Sequence, residues 1–246
     1  MKFLVCISKV PDTTSKIAFS EGNSKFDENG VQFIVNPYDE WYSLVRALEL
    51  KEAAGSGSVT TITVGGADSD PIIRKALAIG ADDAVRIDGE GDAFFVASQI
   101  ANYARENSFD LILAGKETIN YNGSQVGGMI AELLDWPFVS MATKLDLAGQ
   151  EATLERDVQG GTEVVSVNTP FVLSAAKGMA EQRIPNMRGL MAARTKPLNV
   201  IAPSEAENLT SISSFELPPE KGDCVYIDKD NVSDLVELIN KRVKIV

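Results

Sequence analysis

The sequence predicts an α/β fold: a mostly parallel sheet with helices on both faces, an antiparallel hairpin insert and an extended C-terminal arm. Three observations carry this. From residue 1 to about 135, apolar or β-branched runs alternate with segments of helical periodicity, the pattern of a sheet covered on both sides. After Trp136-Pro137 the periodicity shortens toward two, the mark of antiparallel pairing. The last stretch, 203–246, is polar and holds Pro218-Pro219 ahead of a single amphipathic segment.

The elements follow in order. Phe3-Leu4-Val5-Cys6-Ile7 is continuously apolar, as a strand buried on both faces must be. A mostly polar stretch then runs to Asn36-Pro37, where the proline biases Asn36 toward an extended backbone. Trp41, Leu44, Val45 and Leu48 fall at helical spacing, so 39–53 is a helix, stopped by Gly55 and Gly57. Val59–Val64 is a β-branched strand that turns at Gly65-Gly66. Asp68 or Ser69 is placed to cap a helix carrying Ile72, Ile73, Ala76 and Leu77. A short strand at Ala84–Ile87, a helix from about Ala93 to Arg105 and a strand at Phe109–Ala114 come next, then a helix from about Ser124 to Leu134. Residues 144–148 and 152–158 form a hairpin about Gly149-Gln150, and Gly160-Gly161 leads into Thr162–Val167. Pro170–Ser174 is a further strand, and Val232, Leu235, Val236 and Ile239 mark a closing helix.

Composition narrows the function. A net charge of −12 argues against sequence-independent nucleic-acid binding, which needs a cationic face. The chain has no histidine, which removes the commonest general base and metal ligand, so no catalytic or metal-ligating residue is assigned. Two cysteines make no disulfide framework, and Cys6 reads as a small buried hydrophobe. No apolar run approaches the roughly 18 residues of a spanning helix, and the first residues read as a strand with no cleavage site. The expectation is a cytoplasmic protein without membrane insertion.

In an open parallel sheet ligands lie beyond the carboxyl ends of the strands where the strand order reverses. If the first and fourth strands flank that point, Cys6–Lys9, Asn36–Asp39 and the loop after Gly115 converge there. That loop carries Asn120-Tyr121-Asn122-Gly123 straight into Ser124-Gln125-Val126-Gly127-Gly128, a helix start whose free N–H groups and dipole suit an anion. Ser124 is a cap or a phosphate ligand, and Gly127 and Gly128 clear space for a ligand or for tight helix–sheet packing. The basic segment 177–196 holds Lys177, Arg183, Arg188, Arg194 and Lys196 against the single acid Glu181.

Several of these residues stand in a familiar order. Val10-Pro11-Asp12, Asn36-Pro37-Tyr38-Asp39-Glu40, Ala78–Asp82, Asp110–Lys116, Gln125-Val126-Gly127, Asp135-Trp136-Pro137 and the stretch Leu154–Ser174 resemble the electron-transfer flavoprotein beta subunits, in register over essentially the whole chain. The resemblance implies a Rossmann-like, adenine-nucleotide-binding domain, and an electron carrier rather than an enzyme. It implies a heterodimer whose alpha subunit holds most of a redox FAD, while this chain binds a structural AMP. By position the AMP contacts would be Cys6, Asn36, Pro37, Tyr38, Asp39 and Val64. The others would be Asn120, Tyr121, Asn122, Gly123, Ser124, Gln125, Val126, Gly127, Gly128, Met129, Ile130 and Ala131. The segment 181–192 would dock acyl-CoA dehydrogenase-type flavin dehydrogenases through Ile184, with Arg183, Met187 and Arg188 around it, and electrons would pass on to a quinone-linked oxidoreductase. Read without the resemblance, Ile184, Met187 and Met191, at helical spacing, are one buried face. The implied domains are 1–196, with the insert at about 140–170, and an arm, 197–246, wrapping the alpha subunit. Two alternatives stand beside this reading. One is an electron-bifurcating form with a second FAD in place of AMP, disfavoured by the Gly160-Gly161 hairpin and the short chain. The other is a free-standing nucleotide-binding regulator of the universal-stress type, against which the insert and arm argue.

Overall fold

A computed structural model describes residues 1–37 and 39–242. In chain order the elements are β1 (Lys2–Cys6), β2 (Lys9–Pro11), β3 (Phe19–Ser20), β4 (Lys25–Phe26), β5 (Phe33–Val35), α1 (Asp39–Ala54), β6 (Ser58–Val64), α2 (Asp70–Ile79), β7 (Asp83–Ile87), α3 (Ala93–Asn107), β8 (Leu111–Gly115), α4 (Val126–Leu134), β9 (Phe138–Ala148), β10 (Glu151–Val158), β11 (Gly161–Asn168), β12 (Phe171–Ala175), α5 (Met187–Ala193), β13 (Leu198–Ile201) and α6 (Val232–Arg242).

The main sheet has nine strands in the order β11-β10-β9-β12-β8-β1-β6-β7-β13. From β9 to β13 every pairing is parallel, and β10 and β11 add the antiparallel extension. The two-sided burial read from β1 holds. Phe3, Val5 and Ile7 join α1 and α2 side chains on one face, and Leu4 and Cys6 join those of α3 and α4 on the other. The chain moves outward from β1 to β6 and β7, then returns to β8 on β1's opposite side, so the order reverses between β1 and β8 as the alternation suggested.

Local chemistry explains most boundaries. Asp92 caps α3 by accepting the Phe95 N–H at 2.9 Å. Gly80 ends α2 at φ +155°, where an added Cβ would meet Leu48 Cδ1 at 2.7 Å. Gly149-Gln150 joins β9 to β10 in the expected register, Glu151 opposite Ala148. Neither Asp68 nor Ser69 caps α2. A 3₁₀ turn at Ala67–Ser69 precedes that helix, and the Asp68 carboxylate is drawn away to Lys9.

Three features escape the sequence periodicity. The polar stretch before Asn36 contains two small ribbons, β2 with β5 and β3 with β4. The first half of β9 pairs in parallel with β12 before the strand enters its hairpin. Residues 198–201 form the edge strand β13, so the sheet reaches past residue 196 and the arm begins only after Ile201. The arm's first part lies on this chain. Asp92 Oδ2 accepts the N–H groups of Leu209 and Thr210, both at 2.8 Å, and the Thr210 hydroxyl at 3.0 Å. Buried Gln99 grips Ser204 through three hydrogen bonds, and Phe215 stacks on Phe19 with ring centroids 4.8 Å apart. Helix α6 buries none of its residues. Among the described residues no helix is long and apolar enough to cross a membrane.

Candidate functional site

The carboxyl ends of β1, β6 and β8 meet the start of α1, and side chains stitch these segments together. Asn36, fully buried after β5, donates from Nδ2 to the Glu117 carbonyl at 2.7 Å and accepts the Ile119 N–H at 3.3 Å. Asp39 Oδ2 accepts the Glu117 N–H at 3.3 Å. The loop after β8 is thus held against the head of α1, and Gly115 has to be small there because a Cβ would lie 2.8 Å from Glu40 Cγ. On the other side, the Thr63 hydroxyl donates to the Ile7 carbonyl at 2.8 Å and fastens the exit of β6 to that of β1. Val64 follows, half-buried, at the end of β6. Tyr38 lies outside the described residues.

Glu40 is the residue that sequence reading passed over. Its buried carboxylate accepts the Ser8 N–H at 2.7 Å through Oε2 and the Ser8 hydroxyl through Oε1, tying the exit of β1 to α1. Burial pushes its pKa up to about 7, against the lowering effect of the Ser8 hydrogen bonds; neighbouring Asp39 pushes the same way. Burial also raises the Asp39 carboxyl, and burial with Glu40 alongside drives the Cys6 thiol far above its ordinary range, so Cys6 is inert. Nothing local marks it: it is one of two acids on the first turn of α1, three residues after Pro37, and only the fold brings Ser8 onto it.

The loop from Asn120 to Gln125 is exposed. Asn122 (φ 50°) and Ser124 (φ 52°) both adopt the left-handed conformation that bends it back, and the Asn122 N–H donates to the Thr118 carbonyl at 2.9 Å. Open space surrounds Gly123, where a Cβ would meet nothing within 4 Å. Ser124 does not cap α4. That helix begins at Val126, and Gln125 occupies the capping position without a side-chain hydrogen bond, which leaves the first N–H groups available to a ligand. A Cβ on Gly127 would crowd Phe138, at 3.1 Å from Cε2, and would touch Ala114 Cβ at 3.5 Å, whereas one on Gly128 would make only an ordinary contact, 3.5 Å from Phe138 Cε1. Met129 is half-buried, while Ile130 and Ala131 belong to the core beneath the sheet. Cys6, Asn36, Asp39 and Val64 thus gather around the carboxyl ends of the strands, while Ile130 and Ala131 pack in the core behind α4.

Residues 24–206 match the family model described as electron transfer flavoprotein domain. The chain is 34% identical over 262 aligned residues to the electron transfer flavoprotein subunit beta of Bacillus subtilis, covering all of both chains. It is 34% identical over 250 residues to that of Syntrophomonas wolfei, covering all of this chain and 98% of the relative. To the human subunit beta it is 30% identical over 250 residues, covering 97% and 98%. The chain belongs to the electron transfer flavoprotein beta-subunit family.

In this beta subunit the segment before and along α5 is a surface. Ile184 is 83% exposed, Met187 73% and Met191 68%, so they do not form a buried face. The segment is nonetheless firmly mounted. Asn186 caps α5 by accepting the Gly189 N–H at 2.8 Å, and Trp41 Nε1 donates to the Arg183 carbonyl at 3.3 Å. Arg183 forks onto Glu52 at 2.7 and 3.0 Å, so its charge is already matched, whereas Arg188 has no ion-pair partner among the described residues.

Proposed function

We propose that this electron transfer flavoprotein beta subunit pairs with an alpha subunit, holds a structural AMP at the β1/β8 switch point, and presents Ile184 to partner flavin dehydrogenases. The heterodimer then carries electrons on an FAD held mainly by the alpha subunit toward a quinone-linked acceptor. The arm beyond Phe215, with its exposed helix α6, reaches for the alpha subunit.

The observation that carries the nucleotide reading is the uncapped start of α4, open over Gly123, at the cleft between β1 and β8. The residues present fit the group. The N–H groups at the head of α4 suit a monophosphate, Ser124 adds a hydroxyl, and half-buried Pro37 and Val64 would face the base, with buried Cys6 and Asn36 behind them. Bound there, AMP supplies no electrons and acts as a fastener between the loop after β8 and the sheet. The electron chemistry belongs to FAD.

The test is to purify the heterodimer, denature it and identify what is released. One AMP and one FAD per heterodimer is the expected result. Two FAD and no AMP would overturn the AMP assignment in favour of the bifurcating form.

A further inference from the structure

We propose that Asn122-Gly123, in the loop that leads into α4, is a self-modification site gated by nucleotide: in the empty chain the Gly123 nitrogen attacks the Asn122 side-chain amide, and a bound phosphate prevents this by taking the Gly123 N–H. This rests on the nucleotide reading above and adds to it a chemical consequence of losing the ligand.

The nucleophile is free. None of the N–H groups from Gly123 to Gly128 has a hydrogen-bond partner among the described residues. Gly123 thus opens a run of unpaired donors that continues onto the first turn of α4, the arrangement that binds a phosphate. The approach is open too. Asn122 and Gly123 are both exposed, and a Cβ on Gly123 would meet nothing within 4 Å. Asn122 adopts the left-handed conformation at φ 50°, but Gly123 does not, so the fold asks for no glycine there. The Asn122 side-chain amide lies at the Glu117 carboxylate, which Lys116 and then this amide hold below its ordinary pKa against the effect of burial. At the surface one such contact leaves the side chain able to turn.

Water is the only reagent that the reaction consumes. The Gly123 nitrogen gives up its proton, to water or to the Glu117 carboxylate, and bonds to Asn122 Cγ. The Cγ–Nδ2 bond breaks, and ammonia leaves with a proton, which closes a five-membered succinimide. Water then opens the ring at either carbonyl and leaves aspartate or its β-linked isomer at position 122. The isomer inserts a methylene into the main chain directly ahead of the unpaired N–H groups, so a chain that stands empty loses the geometry that would refill it. The chain carries two internal controls. Asn120 is exposed in the same loop but is followed by Tyr121, whose side chain crowds the attacking nitrogen. Asn29-Gly30, in the turn between β4 and β5, is a second exposed Asn-Gly pair that takes no part in the cradle, and its side chain donates to Asp27 at 2.7 Å.

The test incubates heterodimer stripped of nucleotide in mildly alkaline buffer with AMP, with adenosine or with neither, and follows the peptides spanning positions 29, 120 and 122 by mass spectrometry. In the empty protein position 122 should convert steadily. AMP at about 100 times its dissociation constant should slow that conversion on the order of 100-fold, because only the empty fraction reacts. Adenosine, which has no phosphate, should protect far less, and conversion at position 29 should be the same in all three. Gly123→Ala, which the open space accommodates, should keep the melting temperature and hold position 122 at the background of Asn120-Tyr121 without AMP. After incubation the empty wild type should rebind AMP only in proportion to its unconverted fraction, whereas Gly123→Ala should rebind it fully. No conversion at position 122, or equal conversion with and without AMP in a protein that binds AMP, would overturn the proposal and leave the nucleotide reading standing. Parallel changes at positions 29 and 122 would report a general loosening and also overturn it. A heterodimer that neither releases nor takes up AMP would overturn both.

Discussion

Glu40→Gln isolates the most unusual electrostatic feature of the cleft. Glutamine has the shape of glutamate and keeps both links to Ser8: its Oε1 accepts the Ser8 N–H, and its Nε2 donates to the Ser8 hydroxyl. What it removes is the titration. In the folded chain burial raises the Glu40 pKa from 4.5 to about 7. Below pH 4.5 the carboxyl is protonated whether the chain is folded or not. Between the two values only the folded chain keeps the proton, so the native state binds more protons than the unfolded one and stability falls as pH rises. Above about pH 7 the native state carries the full cost of a buried carboxylate. That rise in pKa, at about 1.4 kcal/mol per pH unit, amounts to on the order of 3 kcal/mol. For a chain of this size about 2–4 °C accompanies each kcal/mol. Melting curves of wild type and Glu40→Gln heterodimers at about pH 5 and about pH 8 should therefore show the variant gaining roughly 6–12 °C relative to wild type at the higher pH. Parallel melting temperatures across that range would refute the argument and show that Glu40 is ionised and well compensated at both values.

The remaining predictions concern packing, the arm and docking. Gly127→Val forces a branched side chain against Phe138 and Ala114 and should cost about 1–3 kcal/mol of overpacking, read as a lower melting temperature even in preparations stripped of nucleotide; an unchanged melting temperature would show that α4 shifts freely on the sheet. Asp92→Ser keeps a good cap on α3 but is too short to hold the arm, so the Leu209 and Thr210 amides should exchange with solvent faster while α3 stays protected; equal protection of those amides in both proteins would contradict the clasp. Ile184→Ala should leave melting unchanged, because the side chain is exposed, and should weaken dehydrogenase affinity by on the order of 2 kcal/mol, about 30-fold; a melting loss with normal affinity would make Ile184 a core residue after all.

The sequence by itself determined the layered α/β architecture, because the signals that specify it are local. A run such as Phe3–Ile7, apolar at every position, has to be covered on both faces, and helices of one-sided periodicity between such runs supply the cover. The first hairpin was equally legible, since Gly149-Gln150 fixes where the chain turns; the second turns one residue earlier than the glycine pair, at Gln159-Gly160, with Gly161 already in β11 opposite Val158. It also placed the Asn-Gly-Ser turn directly after the fourth strand, but that the first and fourth strands are neighbours was a condition that only the fold met. Only the tertiary structure decided what depends on partners distant in sequence. Glu40 looks like any acid on a first helical turn until Ser8, 32 residues earlier, is folded onto it and water is excluded. That Gly127 also faces a side chain is invisible until β9 brings Phe138 to within 3.1 Å of where a Cβ would stand. Ile184, Met187 and Met191 have a spacing that fits a core or a surface equally, and it is the mounting of the segment by Trp41, Glu52 and Arg74 that turns them outward. Residues 198–201 read as part of a polar arm because an edge strand needs only one covered face, and β7 supplies the pairing that four such residues cannot announce.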